Sequence, residues 1–298
     1  MPGMWFDSID DAVTRLGGTG YLTDPATATS AFLAGRLEKP LLVEGPAGVG
    51  KTELAKAVAA ATGAELVRLQ CYEGLDEARA LYEWNYSKQL LRIQAAREAG
   101  EGASWDETHD DIFAEEFLLS RPLLTAIRRD QPTVLLVDEV DKTDIEVEGL
   151  LLEVLSDFQV TIPELGTVTA TRRPFVVLTS NASRELSEAV KRRCLYLYLD
   201  YPEADRELEI VRSRVPELDE KVARQLVELV GRLRELELKK APSIAESVDW
   251  ARTLVALEIG DLDDATVTAT LGVVLKHQSD ATRAVRELRL AAGTAARV

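Results

Sequence analysis

Two hydrophobic periods share the first two thirds of the chain, and only one runs through the last third. Leu41, Leu42 and Val43 form a short apolar run, the pattern of a strand buried on both faces. Residues 65–70 alternate polar and apolar, and 133–138, 175–179 and 194–199 are further strand-like runs. Helical stretches lie between them. Residues 7–17 and 25–37 read as helices, the first ended by Gly17-Gly18 and the second opened near Pro25. Residues 53–61 are rich in helix formers. Residues 75–99 are expected to be mostly helical, with a helix resuming near Phe113. Val147, Leu150, Leu151, Val154, Leu155 and Phe158 share one helix face. Residues 159–162 and 167–170 flank 163–166, a hairpin with a four-residue loop. Strands alternating with helices predict a parallel sheet covered by helices. After Tyr201-Pro202 the strand pattern stops, and Leu226, Leu229, Val230, Leu233 and Leu236 share a helix face. The expected organisation is an α/β domain over 1–201 and a small all-α domain over 202–298.

Composition narrows the class. The 298 residues are 46% apolar and 29% charged, as in a soluble globular protein. No apolar run approaches the ~20 residues of a membrane helix. Residues 1–7 lack the basic stretch and apolar core of a secretory signal, so a cytoplasmic location is expected. Cys71 and Cys194 are too few for a disulfide framework. His109 and His277 have no metal-ligand spacing with either. With 35 basic and 51 acidic residues the formal net charge is −16, which argues against nucleic acid as a partner. Residues 100–112 hold two glycines and five acids and read as an exposed insertion.

The strongest chemical signal lies between the first strand and the helix after it. Residues 45–52 read Gly45-Pro46-Ala47-Gly48-Val49-Gly50-Lys51-Thr52, the G-x-x-x-x-G-K-[ST] phosphate loop. Its glycines let backbone N–H groups wrap a phosphate chain, Lys51 reaches the β and γ phosphates, and the Thr52 hydroxyl ligates Mg²⁺. The helix that follows turns its positive end toward the anion. Asp138-Glu139 ends the 133–138 strand. There Asp138 helps hold Mg²⁺ and Glu139 orients or deprotonates the attacking water. Asp141 reads as a loop or helix-cap residue. Asn181 ends the 175–179 run, where its amide either faces the γ-phosphate or satisfies a turn. Lys191-Arg192-Arg193 closes a helix, and its arginines either complement the helix dipole or reach a neighbouring subunit's nucleotide. Tyr72, Tyr82, Trp84 and Tyr86 read as packing residues rather than a pore loop.

Taken as a set, these residues resemble the AAA+ ATPases, and among them the MoxR family, in the branch with CoxD-type chaperones. The likeness extends from about Gly20 to Leu257. It is carried by 45–52, 68–76, 81–86, 135–142, 178–181, 191–194 and 241–243. It implies a P-loop α/β domain with a helical lid, ATP and Mg²⁺ as ligands, and a ring, usually of six subunits. Asn181 matches the sensor-1 position. Arg193, with Arg192 a close second, matches the arginine finger. The sensor-2 neighbourhood, 243–247, has no arginine, and Lys239 or Lys240 is a weak substitute. The family is linked with von Willebrand factor A domain partners and with metal-cofactor insertion or complex maturation on a protein client. Two rivals are a non-hydrolysing nucleotide switch or scaffold and a GTP-using motor of a restriction nuclease. Intact Glu139 weighs against the first, and the acidic charge against the second.

Overall fold

The computed structural model describes residues 5–98 and 111–289. It divides into two compact units, residues 1–44 with 51–198 and residues 45–50 with 199–298. The predicted acidic insertion falls almost wholly outside the described residues.

The first unit is built on a five-stranded parallel sheet. Its strands are β1 (Leu41–Glu44), β2 (Glu65–Gln70), β5 (Thr133–Asp138), β8 (Phe175–Ser180) and β9 (Leu195–Tyr198), in the order β2-β5-β8-β1-β9. The three central strands are apolar and buried almost throughout, as a sheet covered on both faces requires. Helices α1 (Ile9–Gly18), α2 (Pro25–Leu37) and α3 (Lys51–Thr62) precede or separate the first strands. The Asp24 carboxylate caps α2 by accepting from the Thr27 backbone N–H. Later come α6 (Pro122–Arg128), α7 (Ile145–Asp157) and α8 (Glu188–Arg193). Val147, Leu151, Val154 and Leu155 put the buried face of α7 into the same apolar cluster as Leu135, Val137, Val176 and Leu178. The hairpin is present as β6 (Gln159–Ile162) and β7 (Gly166–Thr169), with a loop one residue shorter than expected.

One expectation holds only in part. Residues 75–98 are mostly helical, as the pattern implies, but a short strand that the pattern does not show interrupts them. They hold a single turn, α4 (Glu77–Ala80), then β3 (Tyr82–Trp84), then α5 (Tyr86–Glu98). Strand β3 pairs antiparallel with β4 (Leu118–Ser120), which takes part of the helix expected from Phe113. Tertiary packing overrides local propensity here. Trp84 is buried and meets Phe113 edge-on at 5.0 Å, inside a cluster with Leu81, Phe117 and Leu118. Of Tyr72, Tyr82, Trp84 and Tyr86, only Trp84 is buried, whereas Tyr72 and Tyr86 are exposed.

In the second unit all the regular structure of 199–289 is helical: α9 (Ala204–Arg214), α10 (Glu220–Arg234), α11 (Ile244–Ala256), α12 (Asp264–Thr270) and α13 (Gln278–Glu287). The predicted stripe on α10 is the buried one, with Leu226, Leu229, Val230 and Leu233 in the core and Leu236 against it. Trp250 of α11 is wholly buried and donates its indole N–H to Thr270 Oγ1 at 2.8 Å. Ser243 and Glu246 close a capping box at the start of α11.

Candidate functional site

Parallel strands end side by side, so polar residues far apart in sequence meet at the carboxyl edge of the sheet. The register sets Gln70 opposite Asp138, and Glu44 opposite Ser180. Helix α3 opens on Lys51 and Thr52, one loop after β1. Thr52 donates its hydroxyl to Asp138 Oδ1 at 2.9 Å, and Thr179 donates to the same oxygen at 2.6 Å. Arg68 of β2 pairs with the other oxygen, Oδ2, at 2.5 Å. Asp138 is thus buried but bonded on both oxygens, as a carboxylate out of water must be.

Glu139 sits in the left-handed region, at φ 58° and ψ 48°. Its backbone N–H donates to Thr179 Oγ1 at 2.9 Å. A non-glycine residue held there costs on the order of 1 kcal/mol or more and marks a place where the surroundings dictate the backbone. The Glu139 carboxylate accepts from Gln70 Nε2 at 2.8 Å, from Lys142 Nζ at 2.7 Å and from Asn181 Nδ2 at 3.4 Å. Asn181 in turn accepts Lys51 Nζ on its amide oxygen at 2.8 Å. Burial pulls the Lys51 ammonium below the usual lysine pKa, against the opposing pull of Asp141, Asp138 and Glu139.

The backbone of the loop between β1 and α3 takes glycine-favouring positive φ at three points, Gly45, Gly48 and Gly50, the last at φ 100°. Gly45 and Gly48 lie at φ 150° and 76°, and a Cβ on either would collide, with the Leu199 carbonyl oxygen and the Ser243 side chain respectively. Small size at these positions is therefore fixed by packing as well as by conformation.

Five of the residues expected from sequence stand together: Lys51, Thr52, Asp138, Glu139 and Asn181. Arg192 and Arg193 lie elsewhere, at the end of α8. Arg193 is tied down, donating to Ser156 Oγ at 2.5 Å and to the Ala189 carbonyl at 3.1 Å. The Arg192 side chain is 81% exposed, with Glu188 at 4.0 Å. Lys240 pairs with Glu246 at 3.0 Å in the second unit. Sequence reading missed Arg68, Gln70 and Thr179. Gln70 and Thr179 lie at the carboxyl ends of their parallel strands and Arg68 two residues before Gln70, a placement visible only once the register is known. Asp141, expected as a loop or cap residue, is 3% exposed. Burial pushes its pKa up, but hydrogen bonds from the Ser183 hydroxyl and backbone, with backbone contributions from Asn181 and from Asp141 itself, outweigh that push and hold it below the usual carboxylate value.

Among the described residues no three His, Cys, Asp or Glu side chains form a cage for a metal. A hydroxyl beside one carboxylate, Thr52 with Asp138, suits Mg²⁺, which keeps several waters and shares its remaining positions with phosphates. Among the described residues no helix is long and apolar enough to cross a membrane.

The family described as AAA domain (dynein-related subfamily) matches residues 40–194, just over half of the chain. The chaperone protein ClpB 2 of Parasynechococcus marenigrum (strain WH8102) is 36% identical over 137 residues, 46% of this chain and 13% of that protein. The chain spans less than a fifth of the length of the Clp relatives it matches. An uncharacterized protein of Staphylococcus haemolyticus (strain JCSC1435) is 24% identical over 242 residues, 79% of this chain and 82% of that one. Among solved structures, the P216G mutant of Thermotoga maritima RuvB aligns with a TM-score of 0.46 at 14% identity, covering 95% of this chain and 71% of the other.

Proposed function

The chain belongs to the AAA domain family, in its dynein-related subfamily, and from that premise we propose that it is a magnesium-dependent ATPase acting as a ring-forming motor on a protein client. The observation that carries this reading is the meeting of Lys51, Thr52, Asp138, Glu139 and Asn181 at one sheet edge. In this reading the backbone of 45–50 and the Lys51 ammonium hold the triphosphate. Thr52 and Asp138 hold Mg²⁺, which when bound neutralises charge developing on the phosphates. Glu139 orients the attacking water and accepts its proton. Asn181, already bonded to both Lys51 and Glu139, positions the γ-phosphate against that water. An arginine from α8 of a neighbouring copy, Arg192 or Arg193, completes the site.

The finer assignment rests on the MoxR-like sequence features. It comprises a ring of six, a cytoplasmic location, and a division into a nucleotide-binding domain over 1–201 and a lid over 202–298 that turns about Tyr201-Pro202. It also includes a von Willebrand factor A domain partner and a client whose complex or metal cofactor is matured. Phosphate release from Mg·ATP, compared with Mg·GTP across protein concentrations that permit self-association, tests the core of the proposal. Glu139→Gln should retain ATP while turnover falls by about 10²–10⁴-fold. Wild-type protein that binds ATP but releases no phosphate at any concentration is a switch, not a motor. Faster use of GTP favours the restriction-type motor instead.

A further inference from the structure

Asp141 is the buried acid that this mechanism leaves without a task. It lies in the short turn after Glu139, 3% exposed. Its Oδ2 accepts two bonds from one residue, Ser183, from the backbone N–H at 3.0 Å and from the hydroxyl at 2.5 Å. Its Oδ1 is buried with no hydrogen-bond partner among the described residues. A carboxylate in that setting is an expensive way to staple a turn, because desolvating a charge costs more than desolvating an amide or hydroxyl that could accept the same bonds.

The turn it holds is strained. Ala182, between Asn181 and Ser183, sits at φ 55°, a conformation that costs a non-glycine residue on the order of 1 kcal/mol or more. Bonds on both sides keep it there. Ser180 Oγ accepts the Ala182 N–H at 2.9 Å, and Asp141 takes both Ser183 donors. One residue earlier, Asn181 spans Lys51 and Glu139.

We propose that Asp141 is a positioning residue for hydrolysis: by anchoring Ser183 it fixes the 181–183 turn and so aims the Asn181 amide between Lys51 and Glu139. A charged anchor suits this task, since charge-assisted hydrogen bonds are about twice as strong as neutral ones and hold a strained turn more firmly.

The inference rests on the hydrolase reading, and the test separates the two. Wild-type, Asp141→Ala, Asp141→Asn, Ser183→Ala, Asn181→Ala and the double variant Asp141→Asn with Asn181→Ala are compared for Mg·ATP affinity, kcat and Tm. A misplacement of about 1 Å costs on the order of 10²-fold in rate. Asp141→Ala should therefore lose about 10–100-fold in kcat with Mg·ATP affinity within about threefold of wild type. Asp141→Asn and Ser183→Ala, milder and safer for folding, should lose less in the same direction. Because Asp141 acts through Asn181, the double variant should be no slower than Asn181→Ala alone. Losses that multiply in the double variant overturn the proposal, as does wild-type kcat in Asp141→Asn and Ser183→Ala with only Tm lowered. Wild-type protein that never hydrolyses a nucleotide overturns both readings. Wild-type turnover with unchanged variants removes only this one.

Discussion

In the helical unit Glu207, 1% exposed, takes Arg234 on both oxygens at 2.5 and 2.8 Å and the Ser247 hydroxyl at 2.7 Å. Arg234 also donates to the Pro242 carbonyl at 2.8 Å and lies 4.3 Å from the centre of the Tyr201 ring. At the sheet edge of the other unit the buried charges are arranged differently. Lys51 meets a neutral amide, the Asn181–Glu139 contact is a long 3.4 Å, and Asp141 keeps a bare oxygen. The first group is a closed fastener whose charges satisfy one another. The second holds Asp138 as fully as any fastener, but its Asn181–Glu139 contact is long and one Asp141 oxygen is unbonded, so only part of it is slack. Burial alone does not separate structure from function here; where the slack lies is the better guide.

That distinction also divides two neighbours in sequence. Both are exposed, but Arg193 donates to Ser156 and to its own helix, while Arg192 has only the loose Glu188 contact at 4.0 Å. If an arginine acts across a subunit boundary, Arg192 gives up less to extend. Arg192→Ala should cost about 10³–10⁵-fold in turnover, the range of an arginine finger. Arg193→Ala should act mainly on stability. Mixing Arg192→Ala subunits with Lys51→Ala subunits should restore part of the lost hydrolysis at mixed boundaries. If Arg193→Ala instead gives the large loss and the recovery, closure in the isolated chain is a poor guide to function.

The next effect is on stability. Arg234→Ala leaves Glu207 buried and uncompensated and should cost about 3–5 kcal/mol, read as a shift in the denaturant midpoint of the helical unit. Lys51→Met provides the contrast. It removes a desolvated ammonium whose pKa burial has already lowered. Turnover should vanish while stability stays level or rises, the usual exchange at a functional site. Equal destabilisation by both substitutions would erase the distinction between fastener and site.

The comparison also explains what could be read before the structure. Strands β2 and β5 fall on the expected residues because their apolar patterns are local properties. Lys51, Thr52, Asp138 and Glu139 were legible because their spacing and flanking elements are themselves the signal. Strand β3 was not, since its partner β4 begins 34 residues after Trp84 and propensity carries no record of that pairing. Gln70 reaches Glu139 only through the parallel register, across 69 positions. Arg234 and Glu207 are 27 residues apart on different helices, and either alone reads as an ordinary surface charge. Asp141 looked like a loop acid because sequence shows charge but not what covers it.

The smallest effect concerns the two thiols, which differ in what surrounds them. Burial pushes both to about 12, and Cys71 is held there further by Asp138, Asp141 and Glu139, whereas burial acts alone on Cys194. A thiol kept protonated in the fold ionises near pH 8.5 once unfolded. It therefore contributes stability that is complete below that pH and is lost as pH climbs toward 12, because the unfolded chain then binds fewer protons. Both cysteines should resist iodoacetamide at pH 8 in the folded protein and react once it is unfolded in urea, followed by mass. Asp138→Asn removes one of the carboxylates acting on Cys71. It should raise the alkylation rate of Cys71 modestly, by less than about tenfold since burial still dominates, and leave Cys194 unchanged. An equal rise at both thiols would report loosening of the fold, whereas an unchanged Cys71 would mean that the charge at the sheet edge is screened from its own neighbours, and the contrast drawn between that edge and the helical unit would lose its electrostatic basis.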